Sequence, residues 1–419
     1  MYRVDHEFHT HTFVNRPSGV TLTLELVSET LMPPSFSTQI LIEDMPITPG
    51  QSVLDLGAGA AIVGIAAKKL GASEVTLLEI ETNADKVMQI NVDRNHEDVS
   101  EFDYVIGDLY APLGRRRFDH ILANPPSIPS PGEDLPLPYR SGPDGRYMHD
   151  AIQFLARYYL KTNGRLTVVQ GSLSNLDLSL ANLARLGFTC AVTGPFATPF
   201  RDFYPFDHIR KLADEGHSRF FLRDGVPYEN RYVITATIGA EFHSPVMRIL
   251  DASQVQFRML PHKRIAKTVP LAAAERQVPV EEMVKCILLK DKGGKFVLAC
   301  LTGEADLDVQ RVREHVPGYA RLSFASAEEI TAITGFELGS IAPFSLRAAI
   351  PVVLDEAVAR CGRVNISSGD PRLGLELARA DLMRCLGSRA HVGVIRKNSA
   401  HGRNDLESPL PQPGSDWKT

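Results

Sequence analysis

Four places in the first half of the chain carry side chains whose type and spacing could do chemistry. Asp55-Leu56-Gly57-Ala58-Gly59 forms a glycine-rich turn between an apolar run and a helical stretch. Glycines at such a turn let the backbone approach a ligand closely. A dinucleotide fingerprint would place a third glycine near position 62, which is Ile62; the next glycine is Gly64. Glu79 closes the following apolar run, EVTLLEIE, twenty residues after Gly59. A carboxylate there can accept from both hydroxyls of a ribose. Asp108 ends the run VIGD, and Asn124-Pro125-Pro126 ends ILANPP. In the second half, Lys285 stands inside the apolar run MVKCILL. A lysine there either snorkels from a sheet edge or points into a pocket. Further on come Gly339-Ser340-Ile341-Ala342-Pro343-Phe344, then IPVVLDE with Asp355, and SSG with Gly369.

Other candidates carry less. His6, His9 and His11 have the right chemistry for metal ligands, but no paired cysteines or clustered carboxylates accompany them, and a polar strand face accounts for them. The five cysteines are scattered and none forms a CxxC pair, so neither a disulfide framework nor a zinc site is indicated and no metal is expected. Asp144-Gly145 has the chemistry of a turn before a helix.

The elements that must position these residues read as β/α alternation. Strand-like runs start at Ser52, Glu74, Phe102, Phe118, Arg165, Phe188 and Arg231. Between them lie helical patterns at Ile62–Leu70, Ala84–Asn95, Met148–Leu160 and Asn175–Leu186. This predicts a parallel sheet of seven strands covered by helices on both faces. Two loops stand out. PSIPSPGEDLPLPYRSGPDG follows soon after Asn124, and the stretch from Pro195 to Asn230 is rich in Phe and Tyr. The aromatic stretch reads as a lid or as a satellite core under a long connection. After Ala240 a mixed α+β pattern begins: a helix or turn and then a strand over Leu250–Leu260, a helix over Pro270–Arg276, strands in MVKCILL, KFVLACL, RLSFA, IPVVLDE and RVNISSG, and a helix over Leu377–Leu386. The expected division is 1–245, 247–397, and a disordered tail at 398–419.

Charge supports two modules. From Arg248 to Lys397 there are 22 Lys and Arg against 17 Asp and Glu, a net of +5, whereas the remainder holds 23 against 33, a net of −10. The basic part is the better candidate for a polyanionic partner. A hydrophobic content of 44% and a charged content of 23% over 419 residues exclude a mainly disordered chain. No apolar run approaches the ~18 residues a membrane span needs. The polar, acidic start shows no secretory signal, so the expectation is a cytoplasmic protein with no membrane partner.

Taken together, the glycine turn, Glu79, Asp108 and Asn124-Pro125-Pro126 resemble the class I S-adenosylmethionine (SAM)-dependent methyltransferases, within the subgroup marked by NPP. That subgroup includes glutamine methyltransferases of release factors and amino methyltransferases of nucleic-acid bases. The resemblance covers about Val53 to Val169. It implies that Gly57 and Gly59 pass under the methionine part of SAM with Asp55 nearby, that Glu79 holds the ribose, and that Asp108 takes the adenine amino group. Asn124 and Pro125 would orient a planar nitrogen. Such a nitrogen is a poor nucleophile because its lone pair is delocalised. Two oxygens accepting its N–H bonds turn that pair outward for in-line displacement, and no strong base is needed. The subgroup usually follows NPP with Tyr or Phe. Here Ser127 follows, so stacking on a planar acceptor would need an aromatic from the N-terminal segment or the lid.

The second half, about Met247 to Arg396, resembles the YbaK/ProX family of aminoacyl-tRNA deacylases in the order as well as the content of its motifs. The resemblance implies that Lys285 contacts the terminal adenosine of a tRNA acceptor end or its phosphate. The Gly339–Pro343 loop would offer backbone amides to the ester carbonyl during hydrolysis. The phenylalanine–glycine pair often seen after the loop proline is Phe344-Ser345 here. His262 reads equally as a structural and as a functional residue.

Three functions follow. The first is a SAM-dependent N-methyltransferase, its acceptor unspecified, fused to an editing domain that hydrolyses mischarged aminoacyl-tRNA. In the second, the α-amine of SAM attacks its own γ-carbon and expels methylthioadenosine. The product, azetidine-2-carboxylate, mimics proline, and the attached deacylase would clear it from tRNA. In the third, the second half binds tRNA without catalysis.

Overall fold

The computed structural model describes residues 7–27, 34–95, 97–132, 141–266, 268–303 and 305–397. His6, residues 133–140 of the Pro-rich stretch after Asn124 and the tail from Asn398 lie outside the described residues.

The chain begins with a hairpin, β1 (Phe8–Asn15) and β2 (Val20–Val27), and a helix, α1 (Phe36–Asp44). His9 and His11 lie on β1, and no group of metal-ligating side chains forms among the described residues. The alternating layer follows: β3 (Ser52–Leu56), α2 (Ile62–Lys69), β4 (Glu74–Glu79), α3 (Ala84–Arg94), β5 (Phe102–Ile106), β6 (Phe118–Ala123), α4 (Tyr147–Tyr159), β7 (Leu160–Gly171), α5 (Leu176–Arg185), β8 (Phe188–Pro199), α6 (Phe206–Asp214), β9 (Phe221–Arg223) and β10 (Val226–Ile238). The sheet runs β5-β4-β3-β6-β7-β10-β8, with the short β9 on β10. Its first five strands are parallel. β10 is antiparallel to both its neighbours, so the sheet is mixed rather than wholly parallel and holds eight strands. The strand order reverses between β3 and β6, where α/β sheets open a crevice at the carboxyl ends of their strands.

The aromatic stretch is more regular than its sequence suggested. It contains the end of β8, α6, β9 and the start of β10. Tyr204, Ile209, Ile128 and Leu173 form a small core there, with Phe200 and Phe220 packed on it. The satellite-core reading describes these rings.

The second half comprises α7 (Pro245–Ala252), β11 (Phe257–Pro261), α8 (Val269–Arg276), β12 (Val284–Asp291), β13 (Phe296–Thr302), α9 (Val309–Glu314), β14 (Leu322–Phe324), α10 (Ala327–Thr334), β15 (Val352–Asp355), α11 (Glu356–Arg360), β16 (Arg363–Asp370), β17 (Leu373–Ala378), α12 (Arg379–Leu386) and β18 (Ala390–Gly393). Its sheets are β11-β17-β16 and β14-β12-β13-β15-β18. Leu377 and Ala378, expected to start a helix, end β17, where Leu377 pairs with Phe257. Cross-strand burial outweighs helix propensity at these two positions.

The halves are packed, not merely linked. One apolar cluster includes Leu113, Phe118 and Tyr158 of the first half and Met247, Leu250, Phe257 and Met259 of the second. Arg157 of α4 pairs with Asp370 at 2.8 Å and stacks on Phe242 at 4.1 Å. No helix among the described residues is long and apolar enough to cross a membrane.

Candidate functional site

The first site lies at the carboxyl ends of β3, β4 and β6. Gly57 and Gly59 both take positive φ, +80° and +54°, and nothing stands within 4 Å of where a Cβ on either would be. The turn is therefore an open cradle, pinned from one side by the Gly57 and Ala58 amides donating to Leu78 O. Its third support is Asp55. That carboxylate is only 3% exposed and accepts the Gly64 N–H at 2.7 Å, in the first turn of α2. Burial pushes its pKa up to about 7; the Gly64 bond opposes this and the nearby Glu79 charge adds to it. Asp55 thus shapes the turn from inside. Glu79 sits above: one oxygen accepts from Gly59 N–H at 2.8 Å and the other from Ile80 N–H. Ile80, 51% exposed, offers a bare apolar face beside it.

Asp108 stands two residues beyond β5 and forms an ion pair with Lys263, which belongs to the second half. Arg264, next in sequence, stacks on Tyr147 at the start of α4 at 4.9 Å. The two halves therefore meet at the edge of the first crevice.

Asn124 follows β6 directly. Its amide nitrogen donates to Thr38 Oγ1 at 3.2 Å. Thr38 Oγ1 also takes the Ser35 N–H and lies 3.1 Å from Ser35 Oγ. Two N–H donors fill the acceptor sites of the threonine hydroxyl, so its proton goes to Ser35. In this arrangement Thr38 receives the NH2 end of Asn124, which orients the amide with Oδ1 facing away. Among the described residues nothing donates to that Oδ1 or to Pro125 O, and two adjacent acceptors stand ready for N–H groups. The preceding residue of α1, Ser37, receives Arg231, which binds Glu229 at 2.6 Å and Tyr204. Ser127 is 4% exposed, beside Gly171 and under Glu229. Thr38, Arg231 and Glu229 were not anticipated. Ser35-x-x-Thr38 is a legible capping motif, but its contact with Asn124 spans 86 residues.

The second site is a cleft of about 380 Å³ lined by His262, Ile265, Ala266, Ala272, Arg276, Leu338, Gly339, Ser340, Ser367, Asp370 and Pro371. Gly339 has φ +88° with open space above it, whereas Ile341 to Phe344, including Pro343, are buried. The amides of Gly339, Ile341 and Ala342 donate to no other described residue. Ser367 Oγ donates to Ser340 O at 2.8 Å and holds the loop. His262 is 3% exposed. Arg276 donates its Nε–H to His262 Nε2 at 2.8 Å, and burial pushes the arginine down to about 10. Lys285 is not among the lining residues: it is half-buried on the face of β12 shared with Ile287 and Leu289, which pack into a separate apolar cluster. Asp355 lies away from the cleft as well, capping α11 and binding Arg396 and the Ile395 amide. Gly369 sits against the Phe336 ring near the end of β16, two residues after the cleft residue Ser367.

Residues 35–185 match the family model of the methyltransferase small domain, and residues 263–385 match that of the aminoacyl-tRNA editing domain. A Methanocaldococcus jannaschii protein with the provisional name protein N5-glutamine methyltransferase is 27% identical over 174 residues, 40% of this chain and 86% of that one. The release factor glutamine methyltransferase of Geobacter sulfurreducens is 30% identical over 176 residues, 39% of this chain and 61% of that one. The multifunctional Ser/Thr-tRNA deacylase ProXp-y of Escherichia coli K12 is 26% identical over 150 residues, 35% of this chain and 89% of that one. The first half of the chain is thus similar to methyltransferases and the second to aminoacyl-tRNA editing domains.

Proposed function

We propose that the first domain is a SAM-dependent N-methyltransferase acting on a planar nitrogen, and that the second hydrolyses mischarged aminoacyl-tRNA. The observation that carries the first part is the amide of Asn124, oriented by Thr38 so that its oxygen stands free beside Pro125 O. The open cradle at Gly57 and Gly59, with Glu79 above it, fits SAM, which when bound supplies a methyl carbon on a sulfonium. The protein's own part is positional. Asn124 Oδ1 and Pro125 O take the two N–H bonds of the acceptor, turn its lone pair outward and fix the line of attack. Glutamine side-chain amides are the favoured acceptor class, from the names of two relatives.

A second reading of the same crevice rests on Ser127, which offers no ring to stack on a planar acceptor. In it the acceptor nitrogen is the α-amine of SAM itself. An N–Cγ bond forms, the Cγ–S bond breaks with its electron pair left on sulfur, the amine loses a proton, and azetidine-2-carboxylate and methylthioadenosine leave. The editing domain would then remove a proline mimic from tRNA.

Purified full-length protein incubated with SAM, with and without a glutamine-bearing release factor, separates the two readings by mass spectrometry. S-adenosylhomocysteine formed only with the acceptor, and lost in Asn124→Ala, supports methyl transfer. Methylthioadenosine formed together with azetidine-2-carboxylate without acceptor, and absent from Asn124→Ala, replaces methyl transfer with cyclisation. For the second domain, the readout is deacylation of seryl-, threonyl-, alanyl- and azetidine-2-carboxylyl-tRNA. Absence of hydrolysis on all four refutes the editing role and leaves tRNA binding. Lys285→Ala is assayed in the same panel; unchanged rates would remove Lys285 from the catalytic set.

A further inference from the structure

The editing cleft contains a donor pair that no motif announces. Arg276 is a mostly buried cation without a carboxylate partner among the described residues: its Nε–H goes to His262 Nε2, and one Nη group to Ile366 O at 3.3 Å and to Met283 Sδ. The one acid of the cleft, Asp370, is taken by Arg157. Arg276 cannot retreat, because its guanidinium fills the space over Gly374, where a Cβ would stand 2.2 Å from Nε. An arginine cannot give up its proton, so its Nε must donate, and His262 Nε2 must be the lone-pair nitrogen. A neutral imidazole then carries its proton on Nδ1. That Nδ1 is buried and has no partner among the described residues. Burial, with Arg276 and Arg372 beside the ring, holds His262 down to about 3, so it stays neutral. His262 and Arg276 thus line the same cleft as Gly339, whose amide donates to no other described residue.

We propose that His262 is a catalytic residue of the editing cleft, whose Nδ1–H binds the ester carbonyl oxygen as negative charge develops on it, and that Arg276 is the positioning residue that dictates the His262 tautomer. The inference rests on the hydrolytic role proposed above for the second domain. Water adds to the ester carbonyl, its electron pair moves onto the oxygen held by His262 and the loop amides, and the carbonyl reforms as the ribose oxygen leaves with a proton. Donors preorganised at such an oxygen are worth roughly 10²–10³ in rate each.

The test exploits the geometry of the ring. An asparagine amide nitrogen falls near the Nδ1 position, and a glutamine nitrogen near Nε2. Full-length wild type, His262→Asn, His262→Gln and Arg276→Lys are assayed for seryl- and threonyl-tRNA deacylation, with thermal melts as a folding control. The expected result is a kcat reduced roughly 100-fold in His262→Gln, but reduced no more than about tenfold in His262→Asn, with KM for the tRNA little changed in both. Gln as active as Asn, or a raised KM with intact kcat, overturns the inference while leaving the editing role standing. Wild type inactive on every aminoacyl-tRNA overturns both. The His262 ring of the full-length protein, assigned by 15N NMR against His262→Asn, must show its proton on Nδ1; a proton on Nε2 also overturns the inference.

Discussion

Asp55→Asn should reverse the pH dependence of stability that a buried carboxyl imposes on the first domain. The Asp55 carboxyl titrates at about 7 in the folded chain and at about 4 once exposed. Between these values the folded state holds a proton that the unfolded state has released. Unfolding therefore releases that proton, and stability falls as pH rises from about 4 to about 7, then levels off. At about 1.4 kcal/mol per pH unit, the full loss is about 4 kcal/mol. Asparagine can accept the same Gly64 N–H through its carbonyl oxygen and does not titrate. Thermal or urea unfolding of both proteins at pH 4.5 and pH 8 isolates the effect, because every other titrating group cancels in the difference. Relative to wild type, Asp55→Asn should gain roughly 3 kcal/mol between the two pH values, or about 6–12 °C in Tm. A difference that stays flat with pH would refute the argument and place Asp55 in contact with water or with a cation.

Thr38→Val should lower SAM-dependent product formation about fivefold with SAM affinity changed less than threefold, because one lost bond of ~1 kcal/mol frees the Asn124 amide to turn over; Thr38→Ser should retain activity, and equal rates in all three would remove Thr38 from the site. Gly64→Ala places a Cβ 2.3 Å from Leu77 Cδ2 under the donor turn. It should cost about 1–3 kcal/mol in unfolding experiments and weaken SAM binding measured by calorimetry; unaltered binding would mean the turn tolerates displacement of α2. Asp370→Asn strands the Arg157 cation between the domains and should cost roughly 3 kcal/mol, whereas Arg157→Met with Asp370→Leu should recover most of the loss. A double variant no more stable than the single one would show that the pair is not what holds this interface.

Much of the fold was legible because its signals are local. The apolar runs starting at Ser52, Glu74, Phe102 and Phe118 are short, those at Ser52 and Glu74 are followed directly by helical periodicity, and each is a strand of the parallel part of the sheet. The hairpin β1–β2 was not anticipated: its inward residues Phe13, Leu22, Leu24 and Leu26 are separated by polar ones that read as surface. Of the two readings of Pro195–Asn230, lid or satellite core, the second describes Tyr204, Phe200 and Phe220, which pack with Ile128 and Leu173. Strand direction was beyond local reading, because β10 has the same alternation whether it runs parallel or antiparallel.

What the sequence by itself determined was the chemistry that needs particular residue types at a short spacing. Glycine at 57 and 59 admits the positive φ of the cradle, Asn-Pro-Pro places two acceptors side by side at a strand end, and Gly339 permits the turn that bares its neighbours' amides. What tertiary structure decided was orientation and company. Thr38 holds one end of the Asn124 amide, Arg276 selects which nitrogen of His262 carries the proton, and Lys263 brings the second domain onto Asp108. Hydrogen-bond direction and side-chain facing depend on partners far away along the chain, and only the folded backbone brings those partners within reach.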